Sequence, residues 1–170
     1  KDFNQDLISH QFQKLLEEKK EEEEMHEIFN LDIFNDYNSS FKLLHDKQLF
    51  FYMQKTYLTN VDSKHRIKER NIFSDDYPSK FIIHIDEKIN PNDENTKLYL
   101  PYFPNGTLYS SLKNNYEFSE LDQITMILEI AYTLRELHNK RKFHVYLSDR
   151  YIYIDSSNNG YLGAFCHVHS

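Results

Sequence analysis

The chain has 170 residues, of which 39% are hydrophobic and 28% charged, enough for one core and an appendage. Its formal net charge of −7 disfavours a nucleic-acid role, because neutralising phosphates takes a basic surface, and no apolar run approaches the ~20 residues of a membrane span. Cys166 is the single cysteine, which excludes an internal disulfide and makes a reducing, cytoplasmic compartment the simplest expectation.

Residues 1–30 differ in character from the rest. Leu7, Ile8, Phe12, Leu15 and Leu16 mark one face of a helix, Glu17–Glu24 (EEKKEEEE) adds polar turns, and Met25, Ile28 and Phe29 resume the stripe. The pattern predicts one long amphipathic, acidic helix over 1–30, with the acidic run as a solvated face. The apolar stripes on either side need a cover, either the rest of this chain or another protein.

From Leu31 to Tyr102 the alternation and turn residues predict strands near 41–44, 48–57, 81–89 and 97–102, with a helix near 62–74. Pro91–Thr96 (PNDENT) is a polar turn that would join the last two strands as an antiparallel hairpin. Strands followed by helices give an α+β class. Ser119 and Asp122 form a capping pair for a long helix, in which Ile124, Ile127, Leu128, Ala131, Leu134 and Leu137 recur at steps of three and four and predict one buried stripe.

Several segments keep a shared register along the chain. They are LFFYMQK (Leu49–Lys55), KERNIFSDDYPSKFIIHI (Lys68–Ile85), LYLPYFPNGTLYSSL (Leu98–Leu112), the Leu137-His138 pair ahead of His144, HVYLSDRYIYI (His144–Ile154) and NNGYLGAFC (Asn158–Cys166). Together they resemble the protein-kinase family, whose catalytic loop reads H-R-D-L-K-x-x-N and is followed by D-F-G. The resemblance implies an antiparallel-sheet N-lobe over 31–103, preceded by the long N-terminal helix. It also implies the start of a helical C-lobe over 104–170 that ends just past the D-F-G position. It places Lys55 and Glu69 as the ion pair that positions ATP phosphates, with Glu69, Tyr77, Pro78 and Phe81 marking the regulatory helix and the strand after it. Leu100 and Phe103 fall in the hinge and complete a vestigial nucleotide cleft. His138 and His144 match histidines that buttress the loop.

The departures from the family pattern decide the expected activity. Tyr146 stands where the catalytic Asp belongs and Tyr151 where the metal-holding Asn belongs, while Ala164, Phe165 and Cys166 fall on D-F-G. Neither Tyr151 nor Ala164 offers an oxygen suited to a hard cation, and Asp149 and Asp155 stand at offsets that point elsewhere. The segment Asn35–Asp46, where a phosphate-covering loop belongs, has no glycine to let the backbone approach phosphates. The expectation is a catalytically inactive pseudokinase with no cofactor and no metal, since His167, His169 and Cys166 alone make a poor ligand set. Tyr146 and Tyr151 are expected to fill part of the cleft.

The partners implied are proteins, in a scaffold or a large cytoplasmic or cytoskeletal assembly, with no nucleic acid and no membrane. A divergent active kinase and a metal-independent nucleotide sensor are the alternatives. A kinase domain would continue past Ser170, so the chain is expected to be a fragment or to lean on a partner for the rest of its core.

Overall fold

The computed structural model describes residues 26–36, 39–46, 48–58, 63–74, 77–78, 80–83 and 97–165. Strands β1 (His26–Asn30), β2 (Ser39–His45), β3 (Phe51–Tyr57) and β4 (Lys97–Pro101) form an antiparallel sheet in the order β1-β2-β3-β4. Alternation explains how the sheet meets the core. Phe41 and Leu43 of β2 pair with Lys55 and Met53 of β3, and all four are buried. Helix α1 (Ser63–Ser74) follows β3, and its Glu69 and Ile72 are fully buried. The β2–β3 connection is tied by Asp46, whose Oδ1 accepts from the backbone N–H groups of Gln48 and Phe50.

A largely helical half completes the molecule. Helix α2 (Leu108–Lys113) begins at Thr107, which exchanges side-chain and backbone hydrogen bonds with Ser110. Helix α3 (Glu120–Asn139) begins at Ser119, which exchanges them with Asp122. Such reciprocal caps satisfy orphan donors of the first turn and are each worth about 1 kcal/mol. Strands β5 (Ile152–Ile154) and β6 (Gly160–Leu162) form a hairpin whose turn is closed by Asp155, a carboxylate accepting from Ser157, Asn159 and the Asn159 side chain.

One contiguous core joins the two halves, running from Phe34, Phe41 and Met53 through Leu100 and Phe103 to Leu137, Tyr153, Leu162 and Phe165. Each such residue contributes about 1.5–3 kcal/mol on burial. Gly106, at φ +71°, makes one of the close approaches possible, because a Cβ there would lie 2.8 Å from Ile33 Cδ1. The short 3-10 turn Asp32–Phe34 therefore packs against the entrance to α2.

The architecture is α+β, with an antiparallel sheet and a few helices. Three expectations need correction. Residues 26–30, read as the end of a long helix, form β1 on the edge of β2, with a register shift between Glu27 and Phe29, and Phe29 is exposed. Pairing satisfies the backbone groups on the edge of β2, a tertiary gain that local apolar spacing does not report. The remainder of that helix, residues 1–25, lies outside the described residues.

Of the strand expected over 81–89, only 81–83 is described, and it forms no named strand: it bonds to β6, through Leu162 N–H to Phe81 O (2.9 Å) and an Ile82–Leu162 parallel bridge, while residues 84–90 and the turn Pro91–Thr96 of the expected hairpin lie outside the described residues. Third, the buried residues of α3 are Met126, Glu129, Ile130, Thr133, Glu136 and Leu137. Ile124, Ile127 and Leu128, expected inside, are 57%, 68% and 63% exposed. Two stripes of the same period exist on this helix, and polar Glu129 and Thr133 disguise the buried one. Among the described residues no helix is long and apolar enough to cross a membrane.

Candidate functional site

Lys55 and Glu69 meet at the centre of the fold. Period two puts Met53, Lys55 and Tyr57 of β3 on one buried face, and α1 lays Glu69 against it. Lys55 Nζ donates to Glu69 Oε1 at 2.9 Å and Oε2 at 2.8 Å. The Tyr57 hydroxyl donates to Oε2, and the backbone N–H of Phe165 donates to Oε1 at 2.8 Å. Four hydrogen bonds fill the acceptor positions of one carboxylate. The ammonium also lies 5.0 Å from the Tyr57 ring centroid and 5.8 Å from that of Phe41, a further source of attraction for a desolvated cation.

Burial makes this saturation necessary. Taking each ion out of water costs several kcal/mol, which is offset only by close geometry and complete hydrogen bonding. Lys55 is 1% exposed and Glu69 0%. The pair has no open face to solvent.

The other residues named from the sequence fall in different places. Leu100, opposite Met53 on β4, and Phe103, just after it, are buried in the core. Phe103 makes edge contacts with Tyr153 (5.5 Å) and Tyr161 (5.0 Å). Tyr153 also touches Phe34 at 5.0 Å and Phe41 at 6.4 Å, so one ring on β5 meets rings from the Asp32–Phe34 turn, β2 and the segment after β4. Of the two tyrosines expected to fill part of a cleft, Tyr146 is 54% exposed in a surface turn, and Tyr151 ends a short 3-10 helix, half-buried. The buried ring cluster of Phe34, Phe41 and Tyr153, from a turn and two strands, was not singled out in the sequence. Tyr57 was also missed, although its place two residues beyond Lys55 puts it on the same face.

Ala164 is buried, at φ +58°, between two anchored neighbours. Gly163 N–H donates to Tyr151 O at 3.0 Å, its carbonyl accepts from His144 Nε2 at 2.7 Å, and Phe165 reaches Glu69 as above. The loop at 144–151 is thereby tied through residues 163–165 to α1. The segment Asn35–Asp46 is mostly strand, entered by a turn in which Asp36 accepts from Ser39 and Asn35 from Phe41. His138 is exposed, its ring against Phe143. Asp155 is committed to the β5–β6 turn. Among the described residues no three His, Cys, Asp or Glu converge as a metal site; Cys166, His167 and His169 lie outside them.

Because Nε2 faces a carbonyl, His144 carries its proton there, and Nδ1 is buried without a hydrogen-bond partner. Burial holds its pKa below 6.5, against the opposing pull of the Gly163 carbonyl and of Glu69. A lowered pKa in the folded state means that the unfolded chain binds the extra proton first. The contribution of His144 is therefore complete above pH 6.5 and lost as pH falls below it. Glu129, raised by burial, has the opposite sign, losing stability as pH rises. The expected result is a steeper fall in melting temperature between about pH 7.5 and 5.5 for the parent chain than for His144→Phe, measured by circular dichroism. Equal slopes would remove His144 from the account.

No protein-family model matches this chain, and no curated protein matches it in sequence.

Proposed function

We propose that the chain is a catalytically inactive, protein kinase-like module that works through protein contacts, as a scaffold or structural part of a larger cytoplasmic or cytoskeletal assembly. The observation that carries this reading is the closed Lys55–Glu69 centre: a lysine on a β-strand paired with a glutamate on the next helix, sealed from solvent, with the ammonium against the Phe41 and Tyr57 rings. The pair supports the kinase-like likeness, and the sealing supports a role without nucleotide.

Three residue types argue against phosphoryl transfer. Tyr146 has no carboxylate to act as base, and neither Tyr151 nor Ala164 carries a ligand for magnesium, while that reaction rests on positioning and charge neutralisation. What remains is a shaped surface, and a single cysteine suits a reducing compartment.

Thermal melting with millimolar ATP, with and without magnesium, tests the reading. A micromolar ligand at that concentration would add about 4 kcal/mol, or roughly 10 °C for a chain of this size. The expected result is no shift. A magnesium-dependent rise would favour a divergent phosphotransferase, and a magnesium-independent rise a nucleotide sensor.

A further inference from the structure

Helix α3 turns an apolar face to solvent that the rest of the described fold does not cover. Leu121, Ile124, Ile127 and Leu128 are all more than half exposed, and Ala131 is exposed beside them. These residues recur at steps of three and four on the side of the helix opposite Met126, Glu129, Thr133 and Leu137, which are buried. The surface continues sideways into an open groove of about 750 Å³ between α2 and α3, whose lining includes Leu108, Leu112, Phe118, Ile127 and Leu134. A contiguous apolar surface of this kind marks an interaction site.

Charge identifies what fits there. The same face carries exposed Glu120 at its N-terminal end and exposed Arg135 near its C-terminal end. Arg135 stacks on the Tyr132 ring at 4.4 Å and donates to Glu136 Oε1 at 3.2 Å, with 62% of its side chain still exposed. A guanidinium has five donors, so these contacts leave room for a second carboxylate. Over about 22 Å the face is therefore acidic, then apolar, then basic. Reversed end to end, it is its own complement.

We propose that the occupant is a second copy of this chain, whose α3 lies antiparallel on the first about a two-fold axis between Ile127 and Leu128. In that register Glu120 faces Arg135 of the second copy, Ile124 faces Ala131 and Ile127 faces Leu128, and the symmetry makes each contact twice. The two helix dipoles then run opposed, which favours this orientation. A parallel pairing would set Glu120 against Glu120 and Arg135 against Arg135, and like charges disfavour it. The strip is little more than one helix wide, at the low end of specific interfaces, so the dimer has micromolar affinity and forms and releases with concentration. The inference stands on the uncovered face of α3 and does not rest on the kinase-like reading.

Sedimentation velocity of the chain over about 1–200 μM tests it. The expected result is a monomer at the low end and a dimer at the high end, with Ile127→Asp monomeric throughout. Ile127 is exposed, so that change leaves the fold intact. Glu120→Lys and Arg135→Glu are each expected to weaken the dimer at least about tenfold, because the symmetry turns two attractions into two repulsions. Mixing these two variants is expected to restore a dimer made of one of each, a recovery that misfolded chains could not give. A monomer at the highest concentration would overturn the proposal and leave the face to a different protein. A dimer indifferent to Ile127→Asp, or no recovery on mixing, would overturn it in favour of another surface or another register.

Discussion

Replacing Glu69 with Ala is expected to lower the unfolding free energy by about 3–5 kcal/mol, because it removes the carboxylate that a buried ammonium and two further donors share. Lys55 Nζ, the Tyr57 hydroxyl and the Phe165 N–H all converge on that one carboxylate. At roughly 2–4 °C per kcal/mol for a chain of this size, the melting temperature should fall by about 10 °C. The double variant Lys55→Met, Glu69→Gln is expected to recover most of the loss. The ammonium is then gone, its place is taken by an unbranched apolar chain, and the amide oxygen still accepts from Phe165. Urea unfolding of Lys55→Met, of Glu69→Gln and of the double variant closes the cycle, and the changes should be far from additive. A Glu69→Ala change below about 1 kcal/mol would mean that water reaches the pair.

Tyr153→Ala is the second large effect, expected to cost about 3–5 kcal/mol through the lost ring and the cavity it leaves. Tyr153 is buried and touches Phe34, Phe41 and Phe103 at edge-on geometry, contacts that each add about 0.5–1.5 kcal/mol to simple burial. Tyr153→Leu should cost about half as much, since it refills part of the volume. Tyr146→Ala supplies the contrast. Its ring is exposed, so the change should stay within about 0.5 kcal/mol. If Tyr146→Ala proved the more damaging of the two, the assignment of which tyrosine belongs to the core would be wrong.

The contrast between these tyrosines shows where the sequence was legible. Strand β3 and helix α1 announce themselves by alternation and by position, while the meeting of Lys55 with Glu69 was an expectation implied by the kinase-like resemblance. The Ser119–Asp122 cap was equally readable, because a cap is a local exchange between residues three apart. Tertiary choices were not readable. Helix α3 has two faces of equal period, and only the positions of β6 and the core decide that Thr133 goes inside while Ile127 stays out. Glu129 is held inward because its carboxylate accepts from Gly160 N–H at 2.8 Å, a bond between residues far apart in sequence. β1 was misread for a related reason. Its state depends on the free edge of β2, which no window around His26–Asn30 contains.

The closure of the centre around Lys55 is the claim on which the functional reading depends, and an acyl phosphate of ATP tests it most directly. This reagent acylates lysines that lie beside a bound nucleotide phosphate. After brief exposure of the folded chain and digestion, mass spectrometry compares Lys55 with exposed lysines such as Lys64 and Lys113. The account predicts that Lys55 remains unmodified while the surface lysines react slowly and without competition by ATP. Selective labelling of Lys55, suppressed by added ATP, would contradict it and restore a nucleotide site at the centre of this fold.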